Sequence, residues 1–286
     1  MRLDYLEIEI AEFCNLNCRC CANFSNLAKE KCFYEYEEYA RDLSRCAELF
    51  SGIEKIRLLG GEPFLNPKIA EYARLAKQLF PDADLRIVTN GTLIPQSDRS
   101  LLRELGEIGA FLDISIYPKT RKLKAEIKKK LRETELGFNF SPLISFFFKP
   151  LLDKPNTNGE KTFENCLFPH CHILSHGKLF PCSFAFCTRR LNEKFGTAYP
   201  EDDMIDIYSN ITAEEIVARF THPHAFCRFC APALIPTKWR CGVTADKAAL
   251  EDWTSKRDSP YVKALSVLQR AARKPEMLLR EIIQKR

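Results

Sequence analysis

The chain lacks a charge bias of either sign, a long apolar run and a leader-like start, and each absence narrows what it can do. Its 286 residues hold 43 Lys and Arg against 38 Asp and Glu, a net charge of +5 spread along the sequence and not gathered in a tail. That balance gives no argument for a nucleic-acid partner, and none is expected. The most apolar segment, Pro142 to Leu152, is interrupted by Lys149 and is far too short to cross a bilayer as a helix. The first residues lead directly into an alternating pattern, without the basic start, apolar stretch and small-residue cleavage site of a secretory leader. A cytoplasmic location is therefore expected. Cysteine, by contrast, is abundant, and in a reducing compartment 13 cysteines read as metal ligands before disulfides.

Tyr5 to Phe13 reads YLEIEIAEF, with Leu6, Ile8 and Ile10 alternating against Tyr5, Glu7 and Glu9, which is a strand pattern. A helical stretch at Tyr36 to Phe50 follows, then a strand at Ile53 to Leu59. The alternation continues with helix Pro67 to Phe80, strand Asp84 to Thr89, helix Asp98 to Ile108, strand Ala110 to Tyr117, helix Leu123 to Glu135 and strand Phe138 to Phe148. This order predicts an α/β fold with a parallel sheet and crossover helices. Five to six repeats are too few to close an eightfold barrel, so the expected architecture is an open partial (β/α) barrel. The turn-rich segment Lys154 to Glu160, KPNTNGE, marks a boundary. The expected domains are the partial barrel at 1–153, a small cysteine-rich domain at 154–245 with a β-hairpin over Ile173 to Phe184, and short C-terminal helices at 246–286. The basic stretch Lys119 to Arg132 reads as a solvated helix face, although Lys119, Arg121 and Lys122 at a barrel rim would also suit phosphate.

Cys14, Cys18 and Cys21 follow the first strand directly, in the loop where barrel enzymes place their active sites. Three thiolates can hold three irons of a 4Fe-4S cube and leave the fourth open to a small molecule. The run CNLNCRCC resembles the signature of the radical S-adenosylmethionine (SAM) superfamily, three cysteines spaced three and two apart. The resemblance implies that SAM chelates the open iron and is cleaved reductively to methionine and a 5'-deoxyadenosyl radical. The residue before the third cysteine is often aromatic in that family and here is Cys20, which weakens adenine stacking but spares the ligands. The resemblance also implies cofactor contacts at Gly60, Gly61, Glu62 and Pro63 after the second strand, at Thr89 and Asn90 after the third, and at Ser115 in the fourth.

Beyond the boundary the pattern is Cys166-x10-Gly177-x4-Cys182, then Cys227-x2-Cys230. Spacing alone is equally compatible with zinc and with an iron-sulfur cluster. The pattern resembles the auxiliary-cluster extension of radical SAM proteins in its short, twitch or SPASM-like form. This implies a second 4Fe-4S cluster on Cys166, Cys182, Cys227 and Cys230, with Cys171 as the rival for Cys166. Cys171, Cys187 and Cys241, expected near that second site, are candidates for a hydrogen-atom donor. Cys46 is expected to be a core filler.

The implied reaction is hydrogen abstraction from a sugar, polyol or related alcohol, phosphate- or nucleotide-linked forms included, ending in oxidation or epimerisation. The implied partners are that small molecule and an external one-electron reductant such as flavodoxin or ferredoxin. Radical modification of a ribosomally made peptide is the runner-up, and a non-catalytic zinc or iron-sulfur module is a third reading.

Overall fold

The computed structural model describes residues 1–28, 32–166 and 171–269. Strands β1 (Arg2–Ala11), β2 (Gly52–Gly60), β3 (Asp84–Thr89), β4 (Phe111–Ile116) and β5 (Gly137–Leu143) alternate with helices α1 (Tyr36–Leu49), α2 (Ile69–Leu79), α3 (Arg99–Glu107) and α4 (Pro118–Arg132). The strands pair in parallel in the order β5-β4-β3-β2-β1, which is the expected open α/β half-barrel. In α1 the buried residues Tyr39, Asp42, Leu43 and Cys46 recur at helical spacing and form one face. That face packs with Leu6, Ile8 and Ile10 of β1 and Ile56 and Leu58 of β2, and Cys46 is a core filler as expected. The outward apolar residues of each strand thus meet helices, and the alternate residues turn to the concave side.

The concave side is polar. Glu7 of β1 pairs with Arg57 of β2 at 3.6 Å, Arg57 with Asp113 of β4 at 3.8 Å, and Asp113 with Arg86 of β3 at 3.4 Å. Glu7 and Glu9 are buried there, so the carboxylates of the first strand face the inside of the half-barrel.

The single strand expected over Phe138 to Phe148 is two strands. After β5 the chain breaks, and β6 (Phe146–Leu152) leaves the barrel to pair with β10 (Cys230–Lys238) and β11 (Thr254–Ser255) in a separate three-stranded sheet. An apolar run without alternation carries no register signal, so its sequence cannot distinguish one long strand from two short ones.

The hairpin forms as β7 (Ile173–Ser175) and β8 (Lys178–Phe180), and β7 pairs in parallel with β1. With β9 (Ile205–Asp206) the main sheet has eight strands, β5-β4-β3-β2-β1-β7-β8-β9, and runs straight through the expected boundary at 153/154. Gly177 makes the turn at φ +70°, and its N–H donates to the buried Asp42 carboxylate at 2.5 Å. Tyr208 Oη donates to the same carboxylate at 2.6 Å, which fastens the hairpin to α1. Three further helices, α6 (Ser183–Cys187), α7 (Arg189–Phe195) and α8 (Ala213–Phe220), follow the hairpin, and a short α5 (Gly159–Glu164) precedes it. Residues 260–269 are helical, whereas the second expected C-terminal helix lies outside the described residues. Among the described residues no helix is long and apolar enough to cross a membrane.

Candidate metal and cofactor site

All residues expected near the first cluster lie at the C-terminal edge of the parallel strands. The cysteine loop leaves β1 and is held against the end of β2 by backbone bonds from Gly61 N to Ala11 O (2.7 Å) and from Glu62 N to Phe13 O (3.1 Å). The glycines are needed for this contact. A Cβ on Gly61 would lie 2.0 Å from Phe13 O and 2.8 Å from Cys14 N, and one on Gly60, at φ +138°, would lie 2.1 Å from Ala11 O. The open space at Gly61 is filled by the start of the cysteine loop and that at Gly60 by the end of β1.

Glu62 is fully buried and accepts hydrogen bonds from Thr89 Oγ1 (2.6 Å), Asn90 N (2.8 Å) and Phe64 N (3.1 Å). It ties the ends of β2 and β3 together, and Pro63 opens the short 3-10 turn that follows. Burial pushes its carboxyl up to about 7, against the pull of these donors. Asn90 continues the network, donating to Asn15 Oδ1 at 2.9 Å with its amide 3.7 Å from Cys14 Sγ. Ser115 lies beside the hydroxyl of Tyr117. Tyr117, which the sequence reading did not single out, feels all three thiols of the loop and stacks on Trp239, ring centroids 5.6 Å apart. Its place directly beyond β4, on the edge that carries the site, was the available signal.

The remaining contacts come from far along the chain. Arg19 N donates to Arg240 O, Gly242 N to Leu16 O and Val243 N to Asn17 O, so residues 240–243 lie along the cysteine loop. Trp253 Nε1 donates to Cys21 O at 2.8 Å. From α7, Arg190 donates to Asn23 O at 2.6 Å and to Glu9 Oε2 at 2.5 Å. No spacing rule links these positions to the loop, so the sequence carried no signal for them.

Cys166, Cys182, Cys227 and Cys230 converge, and together they line a cavity of about 630 Å³. Burial is the chief cause that raises their thiol pKa values where a shift is seen, to about 12 for Cys182. Neighbouring thiols of the set add to it, a repulsion that a cationic iron-sulfur core relieves when the thiols deprotonate onto it. Cys14, pushed up to about 12, and Cys18 show the same pattern in the first loop. Among the described residues no three His, Cys, Asp or Glu side chains gather around a single-ion point. A four-iron cube takes its thiolates at separate corners, whereas a tetrahedral ion needs all of its ligands at one point.

The three candidate donor thiols divide between the two cysteine sets, with Cys187 packed in one hydrophobic cluster with Cys182 and Cys230 as well. Cys171 lies by Cys166, Cys182 and Glu7, as expected. Cys187 is buried among Glu9, Arg190 and Cys21, and Cys241 lies beside Cys18, so both adjoin the first loop. The hairpin and the 240–243 segment fold back onto β1, which distance along the sequence does not reveal. Cys20, with φ +58°, turns away from the loop, contacts Phe148 O at 3.3 Å and joins the lining of the second cavity.

The radical SAM superfamily model matches residues 8–134, the segment that carries Cys14, Cys18, Cys21, the Gly60-Gly61-Glu62 turn and Asn90. Residues 8–134 belong to the radical SAM superfamily. GTP 3',8-cyclase of Sulfurovum sp. (strain NBC37-1) is 33% identical over 102 residues, 35% of this chain and 30% of that protein. The GTP 3',8-cyclase of Alkaliphilus oremlandii (strain OhILAs) is 32% identical over a similar span. The chain thus spans about a third of the length of these relatives. The solved structure of native anSMEcpe with bound AdoMet shares the fold, with a TM-score of 0.51 at 13% identity over 80% of this chain and 83% of that one. BtrN in complex with AdoMet and 2-DOIA aligns at a TM-score of 0.45 and 17% identity over 80% of this chain and 92% of that one.

Proposed function

We propose that the chain is a radical SAM enzyme with two 4Fe-4S clusters that abstracts hydrogen from an alcohol-bearing carbon of a sugar, polyol or related molecule. Cys14, Cys18 and Cys21 would hold the first cluster, and Cys166, Cys182, Cys227 and Cys230 the second. When bound, the first cluster supplies one electron for reductive cleavage of SAM. Asn90, Tyr117 and the Glu62-fastened strand ends surround the first loop and would position the cofactor.

The observation that carries this reading is the shared wall between the two cysteine sets. Cys20, two residues from Cys18 and adjacent to Cys21, lines the cavity that holds all four later cysteines. A second cluster held there would adjoin the first cysteine loop and could accept an electron from a substrate radical. Oxidation would then balance: the carbon gives its hydrogen atom to the 5'-deoxyadenosyl radical, the hydroxyl loses a proton, and a cluster on the four later cysteines would supply the acceptor for the remaining electron as the carbonyl forms. The concave face lined by Glu7, Arg57, Arg86 and Asp113 supports a hydroxylated, polar substrate over an apolar one.

The test is anaerobic reconstitution with SAM, a strong reductant and candidate alcohols. The protein should bind about eight irons and release 5'-deoxyadenosine, and the Cys14, Cys18 and Cys21 triple Ala variant should release none while keeping about four irons. Cleavage by the triple variant would overturn the assignment. Deuterium entering the product carbon from heavy water would mark epimerisation through a thiol donor, and its absence with carbonyl formation would mark oxidation.

A further inference from the structure

The chain has 2 tryptophans, Trp239 and Trp253, and both indoles face the first cysteine loop. Their N–H groups differ. That of Trp253 is satisfied by Cys21 O at 2.8 Å. That of Trp239 is buried beside Cys18 and has no hydrogen-bond partner, and the adjoining Arg240 O accepts from Arg19 N at 2.8 Å. A buried N–H without an acceptor costs about 1–3 kcal/mol, and such groups are rare unless something accepts from them.

The indole is held in this place from two sides. Tyr117 stacks on it with the planes 13° apart, and Trp239 N donates to Ser145 O at 2.9 Å. Directly after it, Gly242 and Val243 hydrogen-bond Leu16 and Asn17 of the loop. The N–H is therefore fixed on a thiol that, on the reading above, becomes a cluster ligand. We propose that the Trp239 indole donates a hydrogen bond to sulfur on the Cys18 side of the first cluster and thereby sets that cluster's reduction potential. A donor at sulfur stabilises the reduced, more negative cluster more than the oxidised one, so it raises the potential. Trp239 is a positioning residue in this scheme, delivered from the later half of the chain to tune the earlier half.

The proposal rests on the first cluster being present, and the experiment separates the two. The signal of that cluster is identified as the one lost in the Cys14, Cys18 and Cys21 triple Ala variant. If wild type and triple variant have the same iron content and spectrum, the cluster reading fails. If the cluster is present, an EPR-monitored redox titration compares wild type with Trp239→Phe, which keeps a stacking ring but removes the N–H. The reduction equilibrium should shift about tenfold toward the oxidised form, about 59 mV for one electron. An unchanged potential with full iron would overturn the proposal. Should Trp239→Phe fail to hold iron, wild type and Trp253→Phe labelled with 15N-indole tryptophan decide. A 15N hyperfine coupling to the reduced cluster that persists in Trp253→Phe supports Trp239, and its disappearance there refutes it.

Discussion

Arg190 and Glu9 form a buried ion pair at 2.5 Å, with side chains 3% and 1% exposed, between a helix of the later half of the chain and the first strand of the half-barrel. Burial opposes the arginine's charge, but Glu9 and Glu12 outweigh it and hold its pKa above the ordinary value. Because the same guanidinium bonds Asn23 O, just beyond Cys21, it connects the hairpin side of the fold to the cysteine loop.

Arg190→Met leaves Glu9 buried without its cation, so that it must take up a proton or remain an unpaired charge, and should lower stability by about 3–5 kcal/mol, as breaking a buried pair from one side does. Glu9→Leu combined with Arg190→Met should recover part of that loss. Chemical denaturation of the single and double variants measures it. An effect below about 1 kcal/mol for the single variant would show that Arg189, water or protonation of Glu9 compensates the site.

Gly61→Ala should be far more harmful than its size suggests, because the added carbon meets Phe13 O at 2.0 Å and neither backbone can yield cheaply. The cysteine loop must separate from β2. The expected result is loss of about half of the reconstituted iron, from the first site, with the second retained. Full iron occupancy in this variant would show that the loop has room to move.

Glu62 gives the cluster-free protein a pH dependence. Its carboxyl is raised to about 7 when folded, from 4.5 when unfolded. Between those values the folded form binds the proton more tightly, so this group's contribution falls as pH rises from about 4.5 to 7 and is flat outside that window. The size is about 3 kcal/mol at most. Glu62→Gln should flatten the pH–stability curve between pH 5 and 7, and an unaltered slope in urea titrations would assign the dependence to other groups.

The choice between Cys166 and Cys171 can be made by substitution. Cys182, Cys227 and Cys230 each feel Cys166, whereas of these three only Cys182 is grouped with Cys171, which turns toward Glu7 and Arg57. Cys171→Ala should keep about eight irons, and Cys166→Ala should lose about four. The reverse pattern would make Cys171 the ligand.

The sequence by itself determined the parallel α/β half-barrel and the first cysteine loop, because both rest on local rules. Alternating Leu6, Ile8 and Ile10 need only the pleat of one strand, and Cys14, Cys18 and Cys21 lie within one turn of chain. The residues expected to contact the cofactor at the ends of β2 and β3 do lie beside that loop, where Gly60 and Gly61 allow the close approach of β1 and the loop and Glu62 locks two strands. What only the tertiary structure decided is everything brought to that loop from more than a hundred residues away. Trp239, Cys241, Trp253 and Arg190 reach it because the hairpin adds to β1 and the chain then returns along the loop by backbone bonds at Arg240, Gly242 and Val243. Backbone pairing of this kind is set by shape and burial and leaves no periodic mark in the side chains that make it, which is why the split of the 138–148 strand and the true neighbours of Cys187 were equally silent in the sequence.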